Sequence, residues 1–131
     1  MALLNRSARA GWDANSAIKA PQITKNCGED IDTCAPCYVG ADDLLYMSNG
    51  TAANTAAHVD GFSASSAKLG ERLTIYGPGL IIKYAPGELT PGDDYFVAGT
   101  KGRLDTEATV GDDVGVARAI DTDHIRVLRF K

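Results

Sequence analysis

Apolar and polar residues alternate over short stretches of this chain, and the stretches end at glycine, proline or acidic turns. Arg72 to Tyr76 is the clearest case. Leu73 and Ile75 point one way, Arg72, Thr74 and Tyr76 the other, which predicts a strand. Cys37 to Val39 and Leu44 to Ser48 read as strands flanking the turn-like Gly40-Ala41-Asp42-Asp43, and Asn49-Gly50-Thr51 marks a further turn. Thr51 to Val59 is alanine-rich. It predicts either one or two helical turns or a loop leading into a strand at Gly61 to Ala67. Leu80 to Tyr84 follows Gly77-Pro78-Gly79 as another strand. Leu89 to Asp94 then forms a turn in which Pro91 presets φ and Gly92 supplies positive φ. Tyr95 to Ala98 turns at Gly99-Thr100-Lys101-Gly102 into Arg103-Leu104-Asp105. Val114 to Ile120 and His124 to Phe130 form a last pair around Asp121-Thr122-Asp123, a loop of hairpin length. In that last strand Ile125, Val127 and Arg129 share one face, and His124, Arg126, Leu128 and Phe130 the other. Neither face is wholly polar, so one is expected to pack on a partner.

Composition sharpens the fold class. Glycine is 14 of 131 residues, above the usual level of about 7%. Short strands between frequent Gly and Pro turns predict a mainly β protein, a small β-barrel or β-sandwich with an extended N-terminal arm. The length suits a single domain with such an arm. The longest apolar runs, such as Leu44 to Met47 and Tyr95 to Ala98, are far shorter than the roughly 20 residues of a membrane-spanning helix. Asn5, Arg6 and Ser7 directly after Leu4 argue against a secretory signal.

Charge divides the chain. Residues 1–25 carry a net +3, residues 26–60 a net −6 with no Lys or Arg, and residues 86–113 a net −5, within a total of −4. The expected division is an arm over residues 1–36 and a β-rich domain over residues 37–131. The acidic total argues against nucleic acid as a partner, and no membrane partner is expected.

Chemistry-bearing residues are few. Cys27, Cys34 and Cys37 lie within eleven residues, the last two as CxxC. A redox pair would need a helix starting inside the motif, whereas Tyr38-Val39-Gly40 follows. Structural zinc could draw on the three cysteines and His58, but it normally shows two ligand pairs and the chain has one. A disulfide between two of the three is a further reading. The favoured one is small buried or loop thiols, with no cofactor and no metal. There is no GxSxG, HExxH or GxxxxGK[ST], and His58 and His124 are isolated. The pairs Asp42-Asp43, Asp93-Asp94 and Asp112-Asp113 read as solvated turn residues, and adjacent Asp pairs lack the alternation of a calcium loop. No catalytic residue is expected.

Leu89-Thr90-Pro91-Gly92-Asp93-Asp94-Tyr95-Phe96-Val97 resembles an element of phage head decoration proteins. So do Gly102-Arg103-Leu104-Asp105-Thr106, Val114-Gly115-Val116-Ala117-Arg118-Ala119-Ile120 and Ile125-Arg126-Val127-Leu128, in that order. Upstream, Cys37-Tyr38, Asn49 to Asn54, Asp60-Gly61-Phe62 and Gly70 to Thr74 are similar to the same family. The likeness covers about residues 37–131. It implies a non-enzymatic capsid cement protein, made in the host bacterial cytoplasm and carried on the outer surface of the phage head. Its partner would be the major capsid protein, and it would act as a homo-oligomer, a dimer or a trimer. Trp12, Arg6 and Arg9 are the expected capsid anchor, since aromatics and arginine are enriched at interface hot spots. The rival readings are a tail, fibre or baseplate adaptor on the same small β fold, and a zinc- or redox-linked protein using the CxxC.

Overall fold

The computed structural model of the protein describes residues 3–4, 11–12, 21–51, 54–85 and 87–131. Its strands are β1 (Gly11–Trp12), β2 (Gln22–Asn26), β3 (Pro36–Val39), β4 (Leu45–Met47), β5 (Gly61–Ser63), β6 (Arg72–Tyr76), β7 (Ile81–Lys83), β8 (Asp94–Val97), β9 (Leu104–Asp105), β10 (Ala117–Ala119) and β11 (His124–Val127). A single 3-10 turn, Thr55–Ala57, is the helical element among the described residues. No helix there is long and apolar enough to cross a membrane.

The strands form two antiparallel sheets, one ordered β1-β7-β11-β10-β8-β9 and the other β2-β6-β5-β3-β4. The protein is thus mainly β, with the layered character of a sandwich. Strand alternation sets the buried faces. Leu73 and Ile75 of β6 are buried, as are Ile125 and Val127 of β11. Each sheet carries its own core. Tyr84, Leu80, Ile82, Tyr95, Val97, Leu104, Val116, Ile125 and Val127 fill the larger one. Cys27, Ile31, Cys37, Leu45, Leu73 and Ile75 fill the smaller. Phe62 of β5 belongs to the larger core and Tyr76 of β6 packs against it, so the five-stranded sheet is fastened to its neighbour.

The five-stranded sheet also closes on itself. Cys27, directly after β2, bridges in parallel to Leu45 of β4, and the Gly28 N–H donates to the Leu45 carbonyl at 2.9 Å. The two outer strands of the five-stranded sheet therefore meet. In the other sheet, Leu3 bridges to Asp105 of β9 at one edge, and β1 pairs with β7 at the other. Unpaired strand edges are exposed to pairing with other chains, and closure of the five-stranded sheet removes that surface there.

Several expectations change. Gln22–Asn26, which the expected division places in the arm, pairs with β6 along its whole length, from Gln22↔Tyr76 to Asn26↔Arg72. Cys27, Ile31, Cys34 and Ala35 are buried, so residue 36 does not divide an arm from a body. The described N-terminal positions lie on the body too, and Leu4 is in the larger core. The strand expected over Gly61 to Ala67 stops at Ser63, and the one expected over Val114 to Ile120 spans only Ala117–Ala119. Of the two readings for Thr51 to Val59, one short helical turn is found, and Asn54 caps it by accepting from the Ala56 N–H.

Candidate functional site

The cysteines are distributed between the two cores. Cys27 and Cys37 belong to the smaller one and Cys34 to the larger. All three are buried thiols, with no disulfide among them. Cys37 sits in β3, and its thiol donates to the Ala35 carbonyl at 3.2 Å. Cys34 sits in a left-handed turn (φ 56°), so the motif does not open a helix that could stabilise a thiolate. Burial pushes the Cys27 thiol up, and the nearby Glu71 and Asp30 carboxylates push it further. That is the reverse of an activated nucleophile. His58 lies by the Val110-Gly111 turn and Lys131, around a small recess. Among the described residues, no group of three or more His, Cys, Asp or Glu could hold a metal ion. The structure thus shows Cys27, Cys34 and Cys37 as buried thiols divided between two cores.

The acidic pairs do not behave alike. Asp112 is fully buried rather than solvated, which corrects the expectation for it. Its carboxylate accepts from the N–H groups of Val97 (2.9 Å), Gly115 (2.9 Å) and Val114 (3.2 Å), tying the 109–115 loop to β8. Asp94 pairs with Arg118 across β8 and β10 at 2.7 Å. Both roles are structural.

The most organised surface feature is a pair of tyrosines. The β3–β4 register places Tyr38 opposite Tyr46, hence on one face. Their rings stack with centroids 5.7 Å apart and an interplanar angle of 27°. Tyr46 is held from several sides. A Cβ on Gly28 would fall 2.4 Å from its ring, and one on Gly40 2.8 Å, so glycine is required at both places for the ring to lie there. The Tyr46 hydroxyl donates to Asp42, whose other oxygen accepts from the Leu44 N–H at 3.2 Å. That bond to Asp42 is the main reason the Tyr46 phenol is pushed up; for Tyr38, burial leads and Glu29 adds to it. Glu29 in turn pairs with Lys101 and accepts from the Met47 N–H.

Beside the rings runs an open groove of about 550 Å³. Gly40, Ala41, Asp42 and residues Asn54 to Ala56 line it together with the two rings. Among the described residues, no Lys or Arg lines it. Sequence reading placed Tyr38 and Tyr46 on strands but could not pair them, because the register depends on the five-residue connection between β3 and β4. That connection closes with Gly40 N–H to Leu44 O at 2.8 Å.

Of the expected anchor, Arg6 and Arg9 lie outside the described residues. The Trp12 backbone pairs with Ile82 in β7, and its side chain is likewise outside what is described. Large apolar side chains exposed among the described residues include Leu69, Val110, Val114 and Phe130. The chain matches no protein-family model and no curated protein.

Proposed function

We propose that this is a non-enzymatic structural protein of a virus particle, a decoration or cement protein bound to the outer surface of a phage head. The observation that carries the reading is the ordered set of blocks from Leu89 to Leu128. In the fold these blocks contain β8, β9, β10 and β11, four neighbouring strands of one sheet. The blocks thus belong to a single structural unit rather than to scattered turns.

The physical character of the molecule suits the role. A cement protein has no reaction to catalyse; it needs a stiff body and surfaces that grip. Two small sheets fastened through Phe62, one of them closed, supply stiffness. Attachment through several weak contacts per oligomer gains strength from multivalency, so each contact need not be large. The major capsid protein is the partner in this reading, and a dimer or trimer the working form.

Co-sedimentation of the purified chain with undecorated heads from the phage that encodes it tests the reading. Saturable binding to expanded heads, with a fixed copy number, is expected, together with greater heat resistance of the decorated head. Recovery on tails instead of heads would transfer the protein to the adaptor class. Absence from the particle would overturn a structural role.

A further inference from the structure

The geometry points to the groove beside Tyr38 and Tyr46 as a docking site for an arginine side chain presented by a partner protein. The partner's identity as a capsid subunit rests on the function proposed above; the preference for a guanidinium does not.

Three observations converge. The first is preorganisation. Tyr46 is fixed by Gly28, by Gly40, by stacking on Tyr38 and by its bond to Asp42, yet both rings remain only half-buried beside an open groove. An aromatic pair serving only to fill a core would be covered. A pair held rigid at the surface is ready to bind without further loss of side-chain freedom. The second is charge. Asp42 is the carboxylate in the lining, no cation accompanies it there among the described residues, nearby Lys101 is paired with Glu29, and residues 26–60 contain six acidic residues and no Lys or Arg. That charge favours a cation over an anion. The third is shape. Stacked rings offer a flat face, and a carboxylate stands at their edge. A planar guanidinium can lie on an aromatic face while donating in its own plane to a carboxylate; an ammonium has no plane to stack. Asp42 can accept more. It uses one oxygen for the Tyr46 hydroxyl and the other for the Leu44 N–H, whereas a carboxylate offers about four acceptor sites.

The test is an NMR titration of the full chain with the peptide acetyl-Gly-Arg-Gly-amide. Matched peptides carry lysine or the uncharged isostere citrulline, and methyl glucoside serves as a neutral ring. The arginine peptide is expected to shift Tyr38, Tyr46, Asp42 and Thr55 resonances and to weaken as salt is raised. The lysine peptide should bind less tightly and citrulline not measurably. Asp42→Asn keeps an acceptor for the Tyr46 hydroxyl while removing the charge, and should weaken the arginine peptide by about tenfold. Tyr38→Leu should do the same, and Tyr38→Phe should bind as the parent does. An unchanged spectrum away from the groove shows that each variant is folded. Equal response to lysine and arginine, response to the glucoside alone, or no response at tens of millimolar peptide would each overturn the assignment. Self-association lost in the same variants would hand the groove to a second copy and overturn it too. A negative titration leaves head binding untouched, so the two readings fail separately.

Discussion

A carboxylate removed from water must be met by donors, and Asp112 is met by the backbone N–H groups of Val97, Val114 and Gly115. Asp112→Ala leaves all three without this acceptor, those of Val97 and Gly115 in the interior. The expected loss is about 3 kcal/mol, read as a lower urea midpoint with unchanged slope. Asp112→Asn keeps one acceptor oxygen and should lose about half as much. The sequence pointed elsewhere here. Asp112-Asp113 after Gly111 has the composition of a solvated turn, and only the folding of the 109–115 loop onto β8 makes the first carboxylate an internal cap. The cysteines were more legible. No second ligand pair and no helix after the CxxC were visible in the chain, and the structure buries all three thiols in two different cores. Gly28 and Gly40 were not legible at all, since what makes them necessary is a ring from another part of the chain.

At the scale of elements, legibility follows the strength of alternation. The strands at Arg72–Tyr76 and His124–Val127 bury the residues that alternation assigns to one face, Leu73 and Ile75 in the first and Ile125 and Val127 in the second. Gln22–Asn26 escaped because Ile23 is its one large apolar residue, and β2 is half-buried at best. Such a strand is held by its backbone bonds to β6 and by pairs like the Thr24 and Thr74 hydroxyls at 2.7 Å, which leave no apolar trace. The β10–β11 hairpin carries a prediction of its own. Asp121 accepts from the Asp123 and His124 N–H groups, each at 2.7 Å, and contacts the His124 ring at 3.0 Å. The Asp123 N–H leads in holding its carboxyl below the ordinary value. A depressed folded-state value means stability that is present above the unfolded value of about 3.9 and fades as pH falls through the folded one. Asp121→Asn should therefore lower stability at neutral pH, flatten the acid limb below about pH 4 and converge with the parent at the acid end. Thermal melts from pH 2 to 7 read this directly. An unchanged acid limb in the variant would place the acid sensitivity elsewhere.

For the whole molecule, the N-terminal stretch decides how the head-binding proposal should be tested. Its described parts are built into both sheets. Leu4 donates its N–H to the Leu104 carbonyl at 3.1 Å, and its own carbonyl accepts from Arg103 at 2.8 Å. Trp12 pairs with Ile82, and β2 covers β6. Deleting residues 1–25 would therefore remove a core leucine and most of a strand. The expected cost is at least about 3 kcal/mol, or roughly 10 °C in Tm. Lost head binding in that truncation would report unfolding as much as a lost anchor. Charge reversal separates the two. Arg6→Glu with Arg9→Glu leaves the strand pairings of Leu3, Gly11 and Trp12 in place, so Tm should stay within about 2 °C. If the two arginines meet an acidic capsid surface, the double variant should bind heads about tenfold more weakly, with a shallower salt dependence. Unchanged binding by a variant of unchanged Tm would free the N-terminal stretch for a purely structural role. The grip on the head would then have to come from the body, where the acidic tyrosine groove would call for basic side chains on the capsid. The sign of the salt response is the same in both cases; which variant abolishes it, the Arg6/Arg9 reversal or Asp42→Asn, says which face of the molecule meets the shell.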